Sequence, residues 1–161
     1  MTGLVGWWPL HETSGDKAYD ISGNGNHGSL NGGITQGVAG KGGLTSYGFD
    51  GSDDYVSSNI VDSITGSRTL SIWVRLSDNS ADQRIIECGG TNYNSIHLAD
   101  GSYGSIEDGE VGFLDSTNDN SVSANLKFDK WILVTVVYDG NQTELYLDGE
   151  VQDTSTSINP S

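Results

Sequence analysis

The sequence contains few cysteines, prolines and basic residues, and these shortages restrict what the chain can be. Cys88 is alone among the 161 residues, so the chain forms no internal disulfide bond. No run of about 18 apolar residues is present, which excludes a helix that crosses a membrane. No basic segment leads into an apolar one near the start, so the sequence shows no signal peptide. These absences predict a protein without membrane insertion.

The charge is strongly one-sided, with 7 basic residues against 22 acidic ones and a formal net charge of −15. Such a surface repels phosphate backbones, so we expect no nucleic-acid partner. The acidity has two interpretations: a solvated surface with several cation sites, or adaptation to molar salt, where the screening length falls to about 3 Å. Because lysine is scarce while Asp, Asn and Ser are abundant, we favour a halophilic source.

What the chain has in abundance is glycine and short β-forming runs. Its 23 glycines are about twice the usual share. Residues 131–153 contain three short apolar runs separated by Asp139-Gly140 and Asp148-Gly149, and Asp-Gly tolerates the positive φ angles of tight hairpin turns. This stretch predicts a β-meander. Its first strand is apolar on both faces, which is typical of a central strand.

Further strands are predicted along the chain. Residues 4–10 form the expected first strand, whose end Pro9 confines to an edge or a bulge. Residues 69–76 are expected to form a strand with one apolar face and a second face of Ser71, Trp73 and Arg75, as in a sandwich. Shorter strands are expected at residues 48–49, 55–56, 84–88, 95–99, 110–114 and 121–126. Residues 29–44 are expected to be irregular and all four tryptophans to lie in the core. The fold class is therefore all-β.

Six blocks of the sequence, in this order, resemble the laminin G-like, concanavalin A-like jelly-roll domains. They are LVGWWPLHETSG from residue 4, DISGNGNHG from residue 20, FDGSDDYV from residue 49, LSIWVR from residue 70, WILVTVVYDG from residue 131 and LYLDG from residue 145. The resemblance implies one domain over residues 1–161, a sandwich of two antiparallel sheets, and commonly a structural calcium ion. It also implies a sugar-binding or adhesion module on a surface or secreted protein.

The chain departs from this family at its end. Family domains continue into a last strand that closes the sheet edge begun by the N-terminal strand, whereas this chain stops at Ser161. Three explanations stay open: closure by a partner chain, a short edge, or a trimmed fragment. An unpaired edge favours assembly, so we expect a homo-oligomer or association with other surface-protein subunits.

The resemblance implies a calcium site near the loop that follows Asp20. Asp20, Asn24 and Asn26, with the carbonyl of His27, offer oxygen atoms of the kind that calcium prefers. The alternative is an Asx-rich turn held by its own hydrogen bonds. A second acidic cluster, Asp50, Asp53 and Asp54, is interpreted as a solvated hairpin turn.

Sugar recognition combines aromatic faces with amide and carboxylate hydrogen-bonding groups. Mid-chain loops provide this chemistry, and the candidate ligand-binding residues are Asn92, Tyr93, His97, Asp100 and Tyr103. The alternative is that the two tyrosines cap the edges of the core.

Catalysis is not expected. Glu107, Asp108 and Glu110 do not alternate as the carboxylates of related glucanases do, since Glu107 faces away from the other two. The three histidines are scattered, with no Ser or Cys elbow nearby.

The sequence therefore predicts a non-catalytic, lectin-like recognition or adhesion module that binds a glycan or a host surface receptor. The acidity and the missing signal peptide together favour a surface component of a halophilic archaeal virus, acting in host attachment. The alternative is a structural capsid or tail decoration subunit without sugar binding, and a glycoside hydrolase ranks below both.

Overall fold

The computed structural model describes residues 3–60, 66–77, 83–88, 94–98, 109–114 and 121–155. The chain divides into two compact units, Met1–Ser63 and Ile64–Ser161, each described by itself below. That both belong to a single domain stays a prediction. In the described residues, no helix is long and apolar enough to cross a membrane.

The C-terminal unit consists of two four-stranded antiparallel sheets. One, which we call the meander sheet, has the order β13-β12-β11-β6, and the other, the hairpin sheet, has the order β10-β9-β8-β7. The strands are β6 (Arg68–Val74), β7 (Gln83–Cys88), β8 (Asn94–Leu98), β9 (Glu110–Leu114), β10 (Ser121–Asn125), β11 (Ile132–Tyr138), β12 (Thr143–Leu147) and β13 (Glu150–Ser155). The predicted all-β class and its antiparallel sandwich are confirmed.

The predicted meander forms as β11, β12 and β13. Strand β11 is central in its sheet, since it pairs with β12 on one side and with β6 on the other. The turn between β12 and β13 has positive φ at both Asp148 (52°) and Gly149 (87°), as the Asp-Gly pair predicts. Asp148 also joins this turn to β11, because its Oδ1 accepts a hydrogen bond from Leu133 N at 3.0 Å.

Apolar side chains from both sheets form one core between them. Val134 and Leu145 of the meander sheet and Ile96 and Val111 of the hairpin sheet are fully buried in this cluster. The sheets are also linked where β10 meets β13, since Ser123 N donates to Asp153 Oδ2 at 3.0 Å. The core therefore leaves the outer face of the meander sheet as a surface that can carry function.

The N-terminal unit contains five short strands: β1 (Lys17–Ala18), β2 (Gly28–Asn31), β3 (Thr35–Ala39), β4 (Thr45–Gly48) and β5 (Tyr55–Ser57). They form a three-stranded sheet of order β1-β2-β5 and the hairpin β3-β4, with a short 3₁₀ helix at Lys41–Gly43. The prediction of irregular structure over residues 29–44 was wrong, since most of β2 and all of β3 lie in that range. The glycines in this range interrupt the alternation of apolar residues by which a strand is recognised in a sequence, so these strands were not predicted.

The predicted strand at residues 4–10 was also wrong. No strand forms at residues 4–10, and the backbone of Trp7 bonds to a loop instead: Trp7 N donates to the Asp20 carboxylate and Trp7 O accepts from Ile21 N. The left-handed backbone of Leu10 (φ 53°) then turns the chain away. The Asp20 carboxylate therefore accepts the hydrogen bond that a neighbouring strand would accept in a sheet.

The inner face of the three-stranded sheet is packed so closely that one position requires glycine. A Cβ atom on Gly28 would lie 2.4 Å from Val56 Cγ1 and 3.4 Å from Ala18 Cβ. Ala18 itself is fully buried. The strands can therefore approach each other only with glycine at this position.

Tyr47 anchors strand β4 within the same unit. Its side chain is buried, and its hydroxyl donates to Glu12 Oε2 at 2.7 Å. Burial and this hydrogen bond raise the pKa of Tyr47 to about 12. Partial burial alone would raise the pKa of Glu12, but hydrogen bonds from Tyr19 N and Tyr47 lower it overall.

None of the four tryptophans belongs to the buried core, in contrast to the prediction. Trp7 is 53% exposed and Trp73 is 42% exposed, whereas Trp8 and Trp131 are partly buried. In Trp73 the exposure follows from strand alternation, because its neighbours Ile72 and Val74 turn inward. An exposed tryptophan on a regular sheet is a candidate for ligand contact.

Candidate functional site

Asp20 is the centre of a hydrogen-bonded network in the N-terminal unit. It is 6% exposed, and its carboxylate accepts four hydrogen bonds. Oδ1 accepts from Trp7 N at 2.9 Å and from Ser22 N at 2.8 Å, while Oδ2 accepts from Ser22 Oγ at 2.8 Å and from Asn26 N at 2.9 Å. We call Asp20 with these partners the Asp20 hub. It ties residue 7 to the loop after residue 20.

The other residues of the predicted calcium site are brought together at the same hub, but as hydrogen-bonding partners of the chain. Asn24 Nδ2 donates to Leu4 O at 2.7 Å, and Asn26 Nδ2 donates to Val5 O at 2.8 Å. The carbonyl of Asn26 accepts from Trp8 Nε1 at 2.7 Å. His27 contributes its ring, whose Nδ1 accepts from Asp20 N at 3.0 Å.

This arrangement does not fit a calcium site. A calcium ion needs carboxylate and carbonyl oxygens turned towards one point, whereas the Asp20 oxygens face four N–H and O–H donors. Burial would raise the pKa of Asp20, but these donors lower it well below its usual range. Calcium binding by Asp20, Asn24, Asn26 and His27 stays a prediction, and the contacts favour the alternative, a loop held by its own hydrogen bonds.

Asp50, Asp53 and Asp54 bring carboxylate oxygens within 4.8 Å of one another. Asp54 accepts hydrogen bonds from Gly33 N and, at 3.0 Å, from Asp50 N, while Asp50 Oδ1 accepts from Ser52 N at 2.8 Å. Asp50 and Asp53 are exposed. The exposure fits the predicted solvated turn, but the predicted hairpin is wrong, because β4 pairs with β3 and β5 pairs with β2. Nothing in the contacts of these three residues points to a bound ion.

Of the predicted sugar-binding residues, Asn92, Tyr93, Asp100 and Tyr103 lie outside the described residues. His97 lies on β8 and is 2% exposed. Its neighbour Ile96 packs in the core, so strand alternation places the His97 side chain on the opposite face of the hairpin sheet, where it is also buried. A ligand in solvent does not reach a side chain so deeply buried, so the proposed site below does not include His97.

The exposed face of the meander sheet presents a different set of residues. We call it the Trp73 face. Its residues are Thr69, Ser71 and Trp73 of β6 with Arg75 directly after that strand, Leu133, Thr135 and Val137 of β11, and Glu144 and Tyr146 of β12, with Gln142 in contact with Glu144. The register places Trp73 opposite Leu133, and Thr135 between Ser71 and Tyr146. Ser71 Oγ and Thr135 Oγ1 are 2.8 Å apart and hydrogen-bonded. Trp73 and Tyr146 are thus two strands apart, roughly 10 Å across the sheet.

A row of polar side chains runs along β12 at this face. Tyr146 OH donates to Glu144 Oε2 at 2.6 Å, and Gln142 Nε2 donates to Glu144 Oε1 at 3.1 Å. The hydrogen bond to Glu144 raises the pKa of Tyr146. These contacts hold the tyrosine ring in one orientation beside the carboxylate. The face therefore combines a tryptophan, an oriented tyrosine, an amide and a carboxylate.

Sequence reasoning missed the Trp73 face although the signal was present. Trp73 shares its face with Ser71 and Arg75, and Tyr146 shares its face with Glu144, so alternation already put both rings with polar residues. A tryptophan that shares a strand face with polar side chains points outward. The prediction that all tryptophans lie in the core ignored this pattern.

Glu110 is the one described member of the carboxylate group considered for catalysis; Glu107 and Asp108 lie outside the described residues. Glu110 is partly buried on β9, and its Oε2 accepts a hydrogen bond from Ser123 Oγ at 2.7 Å. This contact joins two neighbouring strands, which is a structural role.

Comparison with solved structures finds the same fold in other proteins. One is the S-layer domain-containing protein (residues 221–444) from Clostridium thermocellum ATCC 27405, with a TM-score of 0.56, 23% identity, and coverage of 96% of this chain and 73% of that one. Another is described as the HCR/D W1238A mutant, with a TM-score of 0.65 and 16% identity. That match covers 89% of this chain but only 38% of the other.

Comparison with curated proteins gives no match. A family model does match, over residues 50–161, and it describes the concanavalin A-like lectin/glucanases superfamily under the name Laminin_G_3. The matched residues include every strand of the described sandwich and the whole Trp73 face. The chain therefore belongs to the laminin G-like domains of the concanavalin A-like lectin/glucanases superfamily.

Proposed function

We propose that this chain is a non-catalytic recognition module that binds a neutral glycan at the Trp73 face. The observation that carries the proposal is the 42% exposure of Trp73 on a regular strand, on the same sheet face as the polar row of β12. Membership of a lectin-containing superfamily gives the proposal its general direction.

The chemistry of the face suits a sugar. A pyranose ring has an apolar face, which stacks on an aromatic side chain, and hydroxyl groups, which need amide, hydroxyl or carboxylate partners. Trp73 offers the stacking surface, while Glu144 and Gln142 offer the hydrogen-bonding groups. Because Glu144 already holds Tyr146 in place, little side-chain entropy is lost when a ligand binds.

Charge restricts the ligand to neutral glycans. The chain has a net charge of −15, while on the Trp73 face itself Arg75 accompanies the carboxylate of Glu144. The net charge would repel an acidic polysaccharide or a nucleic acid. A neutral oligosaccharide has no such penalty.

The face also supports a non-catalytic role. Glycosidases generally need two carboxyl groups across the scissile bond, separated by about 5–9 Å. On this face the described residues of β6 and β11 contribute Thr69, Ser71, Trp73, Leu133, Thr135 and Val137, which contain no carboxylate to act with Glu144.

The test is binding to a panel of neutral polysaccharides, such as a β-glucan, a mannan and a xylan, by affinity electrophoresis. For any polysaccharide that binds, Trp73→Ala should weaken binding roughly ten- to thirty-fold, the loss expected for a central aromatic contact. Tyr146→Phe should weaken it only a few-fold, because the ring remains and only its hydroxyl is removed. The matched control is Phe49→Ala, which removes another exposed aromatic ring.

Two results would refute the proposal. One is the absence of binding to every neutral polysaccharide at millimolar sugar concentration. The other is binding that Trp73→Ala leaves unchanged but that Tyr93→Ala and Tyr103→Ala abolish, which would return the site to the mid-chain loops predicted from the sequence.

The wider setting of the protein is part of the same proposal. One protein of similar fold is described as S-layer domain-containing, which is in keeping with a module displayed at a surface. Attachment of a halophilic virion to its host, and assembly into a homo-oligomer, remain predictions from the sequence. Light scattering of the intact chain tests the second of these: a monomer at all concentrations would contradict it.

A further inference from the structure

A second exposed sheet face lies in the N-terminal unit, on the strands β1, β2 and β5. We call it the Tyr19 face. It consists of the outward side chains of this small sheet and of the residues that extend its strands, namely Lys17, Tyr19, His27, Ser29, Asn31, Tyr55 and Ser57. All are exposed except Asn31, which is partly exposed. The opposite face is closed by Ala18 and Gly28, both of which are buried.

The strand register fixes how these residues are arranged. Ser29 lies between Lys17 on one side and Ser57 on the other, and Asn31 lies opposite Tyr55. At the other end, the Tyr19 and His27 rings meet edge to face, with centroids 5.3 Å apart. The two tyrosines thus lie at opposite corners of a patch of hydroxyl, amide and imidazole groups.

Both tyrosines of this face expose about half of their surface to solvent. Tyr19 is 51% exposed and Tyr55 is 56% exposed. Along β2 the two corners are separated by four residues, from position 27 to position 31, or roughly 13 Å, and across the sheet by two strands, so the diagonal between them is roughly 16 Å. A span of this length exceeds one sugar ring and suits several rings in a row.

The polar groups between the tyrosines are held in place before any ligand arrives. Asn31 Nδ2 donates to Ser29 O at 3.0 Å and to Ser57 Oγ at 3.2 Å. His27 Nδ1 accepts from Asp20 N, so its neutral ring has its proton on Nε2, where it can donate to a hydroxyl group. The Asp20 hub therefore orients one edge of this face.

We infer that the Tyr19 face is a second binding surface for a neutral oligosaccharide, so that each chain has two glycan contacts. The inference rests on the proposed function, because it assigns the same class of ligand. Two amphipathic rings with serine, asparagine and histidine between them match the alternating apolar and hydroxyl surface of a neutral sugar chain. The net charge of −15 excludes nucleic acid and anionic membranes as occupants.

The test counts the oligosaccharides bound per chain by native mass spectrometry, with a neutral hexasaccharide cut from the polysaccharide that binds best. Wild type should bind two. Tyr19→Ala/Tyr55→Ala should bind one, Trp73→Ala should bind one, and the triple variant should bind none. Phe49→Ala, a matched loss of an exposed ring from the same unit, should still bind two. Thermal unfolding of each variant checks that the fold persists.

The outcomes separate the two proposals. If Tyr19→Ala/Tyr55→Ala binds as many oligosaccharides as wild type, the second surface is refuted while binding at the Trp73 face stands. If that variant binds none while Trp73→Ala is unaffected, the Tyr19 face is a glycan site and the Trp73 face is not. A wild type that binds no neutral oligosaccharide refutes both.

Discussion

Replacing Asp20 by Asn is the sharpest test of how the N-terminal unit is held together. The substitution keeps the shape of the side chain but removes its charge and turns one acceptor oxygen into an NH₂ group. Two of the four hydrogen bonds can persist at the remaining oxygen, while the new NH₂ group faces the N–H of Asn26, another donor. The variant therefore loses charge-assisted hydrogen bonds and leaves a partly buried donor unsatisfied.

Hydrogen bonds to a charged group contribute about 1.5–3 kcal/mol each, and an unsatisfied buried donor costs about 1–3 kcal/mol. Because the partners of Asp20 are only partly buried, we expect the lower part of this range, a loss of roughly 2–3 kcal/mol in the free energy of unfolding. For a chain of this size, that corresponds to a fall in Tm of roughly 4–12 °C. The control is Asp16→Asn, which removes the same charge from an exposed side chain.

The effect of pH has a definite sign. The pKa of Asp20 is lowered in the folded state, so its stabilising contribution is complete above the unfolded pKa, near 3.9. That contribution is lost as the pH falls through the folded pKa. Urea unfolding should show a constant difference between wild type and Asp20→Asn near neutral pH, and a smaller difference below about pH 4. A variant as stable as Asp16→Asn at neutral pH would refute the reasoning.

Thermal unfolding with and without chelator decides between the hydrogen-bonded Asp20 hub and the predicted calcium site. If the four donors alone hold Asp20, then a chelator should leave the Tm of wild type unchanged. A Tm that falls with chelator, returns with calcium and is insensitive to both in Asp20→Asn would instead establish the ion.

Three further predictions concern packing, a buried hydroxyl group and salt. Gly28→Ala should lower the free energy of unfolding, measured in urea, by roughly 1–3 kcal/mol, because its Cβ would overlap Val56. Gly33→Ala, whose Cβ would make only ordinary contacts, should cost much less. Equal effects of the two substitutions would contradict the packing argument. Tyr47→Phe should lower the free energy of unfolding by about 1–2 kcal/mol, because it removes the donor to Glu12. Wild type alone should also lose stability between about pH 10 and 12, where the raised pKa of Tyr47 stops contributing. Tyr55→Phe serves as the exposed control. Raising salt from about 0.1 to about 2 M KCl should raise Tm, since screening reduces self-repulsion at a net charge of −15; a Tm that falls would oppose the halophilic hypothesis.

The Trp73 face shows how far a candidate site can be predicted from residues alone. Alternation along β6 and β12 already separates Trp73 and Tyr146 from the core-facing residues. The sequence does not reveal that the two side chains share one face, because β6 and β12 become near neighbours only through β11. Register across non-consecutive strands is a long-range property.

The local elements of this protein were determined by the sequence. The meander forms as expected because strand alternation and Asp-Gly turns act between residues a few positions apart. The all-β class and the superfamily follow from such elements repeated in order.

Only the tertiary structure decided which polar groups meet. Asp20 bonds to Trp7, thirteen residues away, and this contact replaces the strand pairing expected for residues 4–10. It also turns Trp7 towards solvent and uses the carboxylate oxygens expected to bind calcium. A composition of Asp, Asn and Gly allows either an ion site or a self-bonded loop, and the choice depends on which donors the fold brings within about 3 Å of the carboxylate.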